Sequence, residues 1–309
     1  MISLVCAAVA VAPGCATTRP PEELPDFDAL WDYDDPVATE VELRELLPQA
    51  RASGDRDYLA QLLTQIARTL SLQRRFEDAH RTLDEAKSLL PEGASVARVR
   101  YLLERGRTFN SAGSPERARP LFLEAFEVAR AVGDDRFAVD AAHMLGIIEE
   151  PEAAREWNHR ALTLAEGSDD PRARDWLGSL YQNMGYNALQ EERYDRALVL
   201  FERLIAWSRE RGRDEQEEIG RWFVGRTYRA MGRVEEALAL QQALLSEGED
   251  SSGYTHEEVA ECLLALGRDE EARRHFAAAY QRLSRDAWFA EAEPARLERM
   301  KRLGGVAAE

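Results

Sequence analysis

The chain has 309 residues, 45% hydrophobic and 31% charged, and its 57 acidic residues against 40 Lys and Arg leave a net charge of −17. That length and apolar content suffice for one large or two ordinary domains, and the charged share excludes a chain embedded mostly in membrane. The negative balance argues against nucleic acid, whose binding rests on neutralising phosphate. All but two of the basic residues are Arg, the exceptions being Lys87 and Lys301. Such a skew is that of codon usage, so no arginine carries weight by its type alone. Cys6, Cys15 and Cys262 are unevenly spaced and form no CxxC, which leaves neither a disulfide framework nor a zinc site.

In chain order, Ile2 to Ala12 is nearly all apolar and residues 1–18 carry no charge. The run is too short to span a bilayer and about the length of a signal-peptide core. It ends Ala12-Pro13-Gly14-Cys15, and small residues just before a Cys resemble the lipobox of bacterial lipoproteins. The resemblance implies removal of residues 1–14, lipidation of Cys15 and a place in the cell envelope, with Ala16 implying outer-membrane sorting. The sequence departs from the pattern in lacking a Lys/Arg n-region and in having Pro13. An unused signal would leave the protein cytoplasmic. Residues 15–35, rich in Pro and Asp, read as a flexible tether reaching on the order of 25 Å. Its aromatics Phe27, Trp31 and Tyr33 predict that the second half docks on the folded part.

Asp35-Pro36 then supplies a cap and first-turn proline for a helix over Val37–Ala52. From there one pattern recurs: a turn, an apolar residue, two polar residues, then Ala and a helix. Its copies include Arg75-Phe76-Glu77-Asp78-Ala79, Arg193-Tyr194-Asp195-Arg196-Ala197, Arg233-Val234-Glu235-Glu236-Ala237 and Arg268-Asp269-Glu270-Glu271-Ala272, with altered copies at Ala118 and Ala154. The six alanines are spaced 39, 36, 43, 40 and 35 residues apart, and a small residue (Ala67, Gly106, Gly185, Gly225, Ala260) stands twelve before five of them. This resembles the tetratricopeptide repeat, in which small residues let two helices approach while large apolar ones fill the gap to the next repeat. The resemblance implies an all-α, right-handed α-solenoid of about six helix-turn-helix repeats over residues 36–309, with N- and C-terminal capping helices. In the third repeat Gly146 lies only eight residues before Ala154, a loss of about one helical turn. Asp286–Leu303 reads as the C-terminal cap, kinked at Pro294.

No nucleotide, hydrolase or metalloprotease motif occurs, and the five histidines never sit three or four apart on one helix. Acidic pairs such as Glu217-Glu218 and Glu257-Glu258 fall in first turns, where carboxylates suit the helix dipole. The expectation is a protein that is not an enzyme and uses no cofactor or metal. The repeat resemblance implies that the first helix of each pair lines a groove, and so nominates Arg68, Arg100, Arg107, Gln182, Tyr186, Trp222, Arg226 and Arg229. Trp222, Arg226 and Arg229 share one helical face. Such a groove, richer in Arg and aromatics than its acidic surroundings, predicts an extended or helical peptide or protein segment with acidic groups as partner. In the last repeat Glu257 and Glu261 would reverse that sign. The implied function is a protein-binding scaffold or adaptor tethered by lipid; the alternative is a soluble cytosolic regulator or sensor of a peptide or small ligand. Oligomeric state is left open.

Overall fold

The computed structural model describes residues 24–247 and 252–307. The signal segment 1–14, Cys15 and the tether up to residue 23 lie outside them. The described residues are helical and contain no strand, and the chain divides into two compact units, residues 1–118 and 119–309.

The N-terminal unit opens with a 3-10 turn, Phe27–Leu30, followed by α1 (Pro36–Glu45), α2 (Leu47–Ser53), α3 (Arg56–Leu72), α4 (Phe76–Leu89), α5 (Val96–Ser111) and the start of α6 (Pro115–Val132). Asp35, Asp55 and Ser95 cap α1, α3 and α5 by accepting from the third amide of each helix. The single helix expected over 37–52 is two, α1 and α2. Pro48 has no amide proton to give the carbonyl four residues back, so the chain turns at Leu46. Helix α3 packs on both α4 and α5.

The C-terminal unit takes the rest of α6, then α7 (Asp135–Ile148), α8 (Pro151–Gly167), α9 (Pro171–Arg174), α10 (Leu177–Gln190), α11 (Tyr194–Glu210), α12 (Asp214–Ala230), α13 (Val234–Glu247), α14 (Gly253–Ala265), α15 (Asp269–Leu283), α16 (Ala287–Ala292) and α17 (Pro294–Gly304). Consecutive helices pair, α7 with α8, α10 with α11, α12 with α13 and α14 with α15, while α17 closes on α15. The expected break at Pro294 separates α16 from α17.

The repeat chemistry is visible residue by residue. The motif alanines at 79, 118, 197, 237 and 272 are all buried, and so is the residue one turn on: Leu83, Phe122, Phe201, Gln241 and Phe276. A Cβ on Gly185 would strike the Phe201 ring, and one on Gly225 the Gln241 amide. The small residue of the first helix therefore makes room for this second side chain more than for the alanine. In the third repeat Gly146 meets Asn158, the equivalent pair, although they stand twelve residues apart in place of sixteen. Four residues, one helical turn, have left the connection without changing which side chains meet. In the other repeats the turn between paired helices holds a left-handed residue five before the alanine. These are Arg74 (φ 61°), Gly113 (79°), Glu192 (58°), Gly232 (80°) and Gly267 (72°). Glycine takes that conformation freely, whereas Arg74 and Glu192 take it at a cost.

Cys262 is fully buried in the core of α14 and α15 with Leu263, Phe276 and Ala279. Burial, with Glu258 adding to it, pushes its thiol up to about 12. No helix among the described residues is long and apolar enough to cross a membrane.

Candidate peptide-binding grooves

Of the eight expected groove residues, Arg68, Arg100 and Arg107 lie in the N-terminal unit. There the face of α3 and α5 is occupied by the chain itself. The Phe27 ring is buried, edge-on to Tyr58 with centroids 5.2 Å apart, and the Arg100 guanidinium lies 5.3 Å from its centre. Asp28 grips Arg100 with both carboxylate oxygens, one accepting from Nη1 at 2.9 Å and the other from Nη2. The Trp31 indole N–H donates to Gln65 Oε1 at 3.0 Å, and the Tyr58 hydroxyl donates to the Pro25 carbonyl at 2.8 Å. Burial and Asp26 together hold the Tyr58 hydroxyl above the usual phenol range. Tyr33 stacks on Trp31 from the solvent side. Further along the face, Arg107 donates to Glu104 at 2.5 Å and Arg68 approaches the same carboxylate at 3.8 Å.

Gln182, Tyr186, Trp222, Arg226 and Arg229 belong to the C-terminal unit, and the first four line one cleft of about 710 Å³. Helices α10, α12 and α14 each contribute one wall segment, and α16 and α17 close the end. Its apolar lining is a series of edge-to-face contacts: Tyr186 to Phe223 (6.1 Å), Phe223 to Trp222 (4.8 Å), Trp222 to Tyr254 (6.3 Å) and Tyr254 to Phe289 (5.6 Å). Such a series builds a stiff apolar wall at low entropic cost. The Trp222 indole nitrogen is buried with no hydrogen-bond partner among the described residues.

The expected arginines are present but not as available cations. Arg229 donates from Nε and Nη2 to Glu258 at 2.8 and 3.1 Å, and Arg226, 5.3 Å from the Trp222 ring centre, approaches Glu258 at 3.6 Å. Arg296 of α17 donates to Glu257 at 2.7 and 2.5 Å, and Arg299 pairs with Glu261. The three carboxylates of α14 thus face four guanidiniums. Burial still holds the Glu257 carboxyl above its ordinary range, with Arg296 opposing. By contrast Glu215, Glu218 and Glu293, also on the cleft, are exposed and make no ion pair among the described residues. The expectation of a cationic groove is therefore corrected. Its arginines are engaged by carboxylates of α14, and with Glu215, Glu218 and Glu293 counted the balance of the cleft is negative.

Sequence reasoning did not find Glu258, Phe289 or Arg296. Arg296 sits beyond the last repeat, and only the helix break at Pro294 marks the place where the chain returns to the cleft. It also missed that His256 and His275, nineteen residues apart on α14 and α15, bring their Nδ1 atoms within 3.0 Å. Burial, Arg282 and His275 hold His256 down to about 4. No group of three or more metal-ligating side chains forms among the described residues.

No protein-family model matches the chain, and no curated protein sequence does. Solved structures do resemble it. One is a signal-transduction ATPase with a tetratricopeptide repeat sensor from Pyrococcus horikoshii, at TM-score 0.67 and 16% identity over 88% of this chain. This chain spans 45% of that protein's length. Another is the apo quorum sensor NprR from B. thuringiensis, at TM-score 0.62 and 15% identity, covering 89% of this chain and 80% of that one. NprR in complex with its cognate peptide NprX matches at TM-score 0.53 and 15% identity, over 89% and 82% of the two chains. At such identity the likeness speaks of architecture alone: the chain folds as an all-helical protein of the tetratricopeptide-repeat class.

Proposed function

We propose that the protein acts by binding, not by turnover, and that the C-terminal cleft receives a segment of a protein or peptide partner. One observation carries the reading. An aromatic wall with an unsatisfied indole N–H stands beside three unpaired carboxylates, while the nearby arginines are already engaged. A volume of about 710 Å³ suits a few anchoring side chains. The segment that fits has an apolar or aromatic anchor, an acceptor for the Trp222 N–H, and a Lys or Arg for Glu215, Glu218 or Glu293. NprR, of the same architecture, has been solved with a peptide, which supports a peptide as the ligand class.

Selection from a random displayed peptide library tests this. The expected binders combine basic and aromatic residues, weaken with salt, and lose affinity by tenfold or more on Trp222→Ala or Glu215→Gln/Glu218→Gln. Selection of acidic peptides, or binding indifferent to these substitutions, would overturn the reading.

The proposal extends to the chain's place in the cell: a lipoprotein held at the envelope through Cys15, for which the apolar run and Ala12-Pro13-Gly14-Cys15 are the support. Intact mass of the protein made in a bacterial host, beside a Cys15→Ser version, checks it. A chain starting at Cys15 with added lipid mass, lost in the Ser version, supports tethering. An unmodified soluble chain would move the same binding role to the cytosol.

A further inference from the structure

The segment before α1 is held by contacts of the kind a bound peptide makes. One aromatic side chain enters a pocket walled by Tyr58 and Arg100. One carboxylate takes both ends of a guanidinium that is itself buried. One indole N–H and one backbone carbonyl complete the set, on Gln65 and Tyr58. All the receiving groups stand on α3 and α5. Below them, α3 packs on both α4 and α5, and Ile66, Leu70, Leu83 and Leu102 of these helices are buried.

We propose that this face of α3 and α5 is a second peptide-binding site, filled in cis by residues 25–33. Its partner in trans is a protein segment of the same chemistry: an aromatic residue followed at once by Asp, with a second aromatic four positions after the first. Phe27-Asp28-Ala29-Leu30-Trp31 is the built-in example. A covalently attached segment acts at an effective concentration of roughly millimolar, so the site is masked against weak partners. It opens only to one that is abundant or that makes contacts beyond the cis segment.

The test uses the full chain and a fluorescein-labelled peptide with the sequence of residues 24–35, read by anisotropy. The Phe27→Ala/Asp28→Ala variant, with its own segment disabled, is expected to bind the peptide at least ~10-fold more tightly than the unaltered chain. Arg100→Ala in that background should remove the gain, and Trp222→Ala should leave it unchanged, which separates this site from the C-terminal cleft. Equal binding by the opened and unaltered chains, or none by an opened chain of undiminished helix content, would overturn the proposal. Should the double variant lose helix content, Asp28→Asn alone decides. It weakens the grip on Arg100 while keeping Phe27 seated, and a chain so altered that shows no gain in peptide affinity sinks the idea equally.

Discussion

Arginines on the first helices of the repeats end up in two different situations in the two units. In the N-terminal unit Arg100 is paired with Asp28, which arrives from a segment 72 residues earlier. In the C-terminal unit Arg226 and Arg229 share Glu258, on the first helix of the following repeat, and the cleft beside them stays open. The lesson is that an arginine on a groove face says little about the charge of a partner. What matters is where its counter-charge is anchored, since a carboxylate on a packed helix is permanent whereas one on a docked segment can leave.

That contrast can be broken or sharpened by substitution. The largest effect belongs to Glu258→Ala, which strips a nearly fully buried carboxylate from two guanidiniums and is expected to cost on the order of 3 kcal/mol. Urea unfolding measures it, and a loss below about 1 kcal/mol would erase the distinction between permanent and removable counter-charges. Asp28→Ala should cost less, about 1–2 kcal/mol, because the carboxylate is a third exposed and the freed segment can lift and let water reach Arg100. The same unfolding experiment ranks the two. Next come the turns, one in each unit: Arg74→Gly and Glu192→Gly relieve a left-handed backbone and should each raise stability by about 0.5–1 kcal/mol. A shared gain would show that the repeat turn, unlike the groove, behaves alike in both units.

The last effect is pH-dependent. His256 is held down to about 4 against an ordinary 6.5, and burial likewise lowers His275 against the pull of Glu271. The folded state therefore binds fewer protons than the unfolded chain. The stability tied to these rings is full above pH 6.5 and falls away toward pH 4. In the N-terminal unit His80 is lowered as well, by burial, Arg105 and Arg117, with Asp84 opposing. His256→Gln should flatten the fall in urea midpoint between pH 7 and 5 more than His80→Gln does; an equal response would remove the difference between the units.

Much of the fold was legible because it depends on local size. Alanine at one position and a large residue one turn on repeat wherever two helices cross, and both are buried where the pattern put them, at Ala197 and Phe201 for example. Asn158 and Gln241 hid the same position behind a polar side chain, each offsetting its burial with a hydrogen bond to a backbone carbonyl, of Gly146 and Trp222 respectively. The left-handed turns could be read at Gly113, Gly232 and Gly267 but not at Arg74 or Glu192, whose residue types do not announce the conformation. Trp222 and Arg226 lie side by side on the cleft, since one helix fixes their spacing. Glu258 and Arg296 were not legible, because pairing between helices depends on the approach of elements that no local pattern encodes.

Cys262 turns the last repeat into its own clock. In a Cys6→Ser/Cys15→Ser chain it is the sole thiol, sealed between α14 and α15 and with its proton held tightly. A thiol reagent can then react only as fast as that helix pair parts, so the labelling rate reports how often the floor of the cleft comes undone. A peptide seated across Tyr254 and Phe289 would slow that reaction, giving occupancy a chemical readout that needs no label on either molecule.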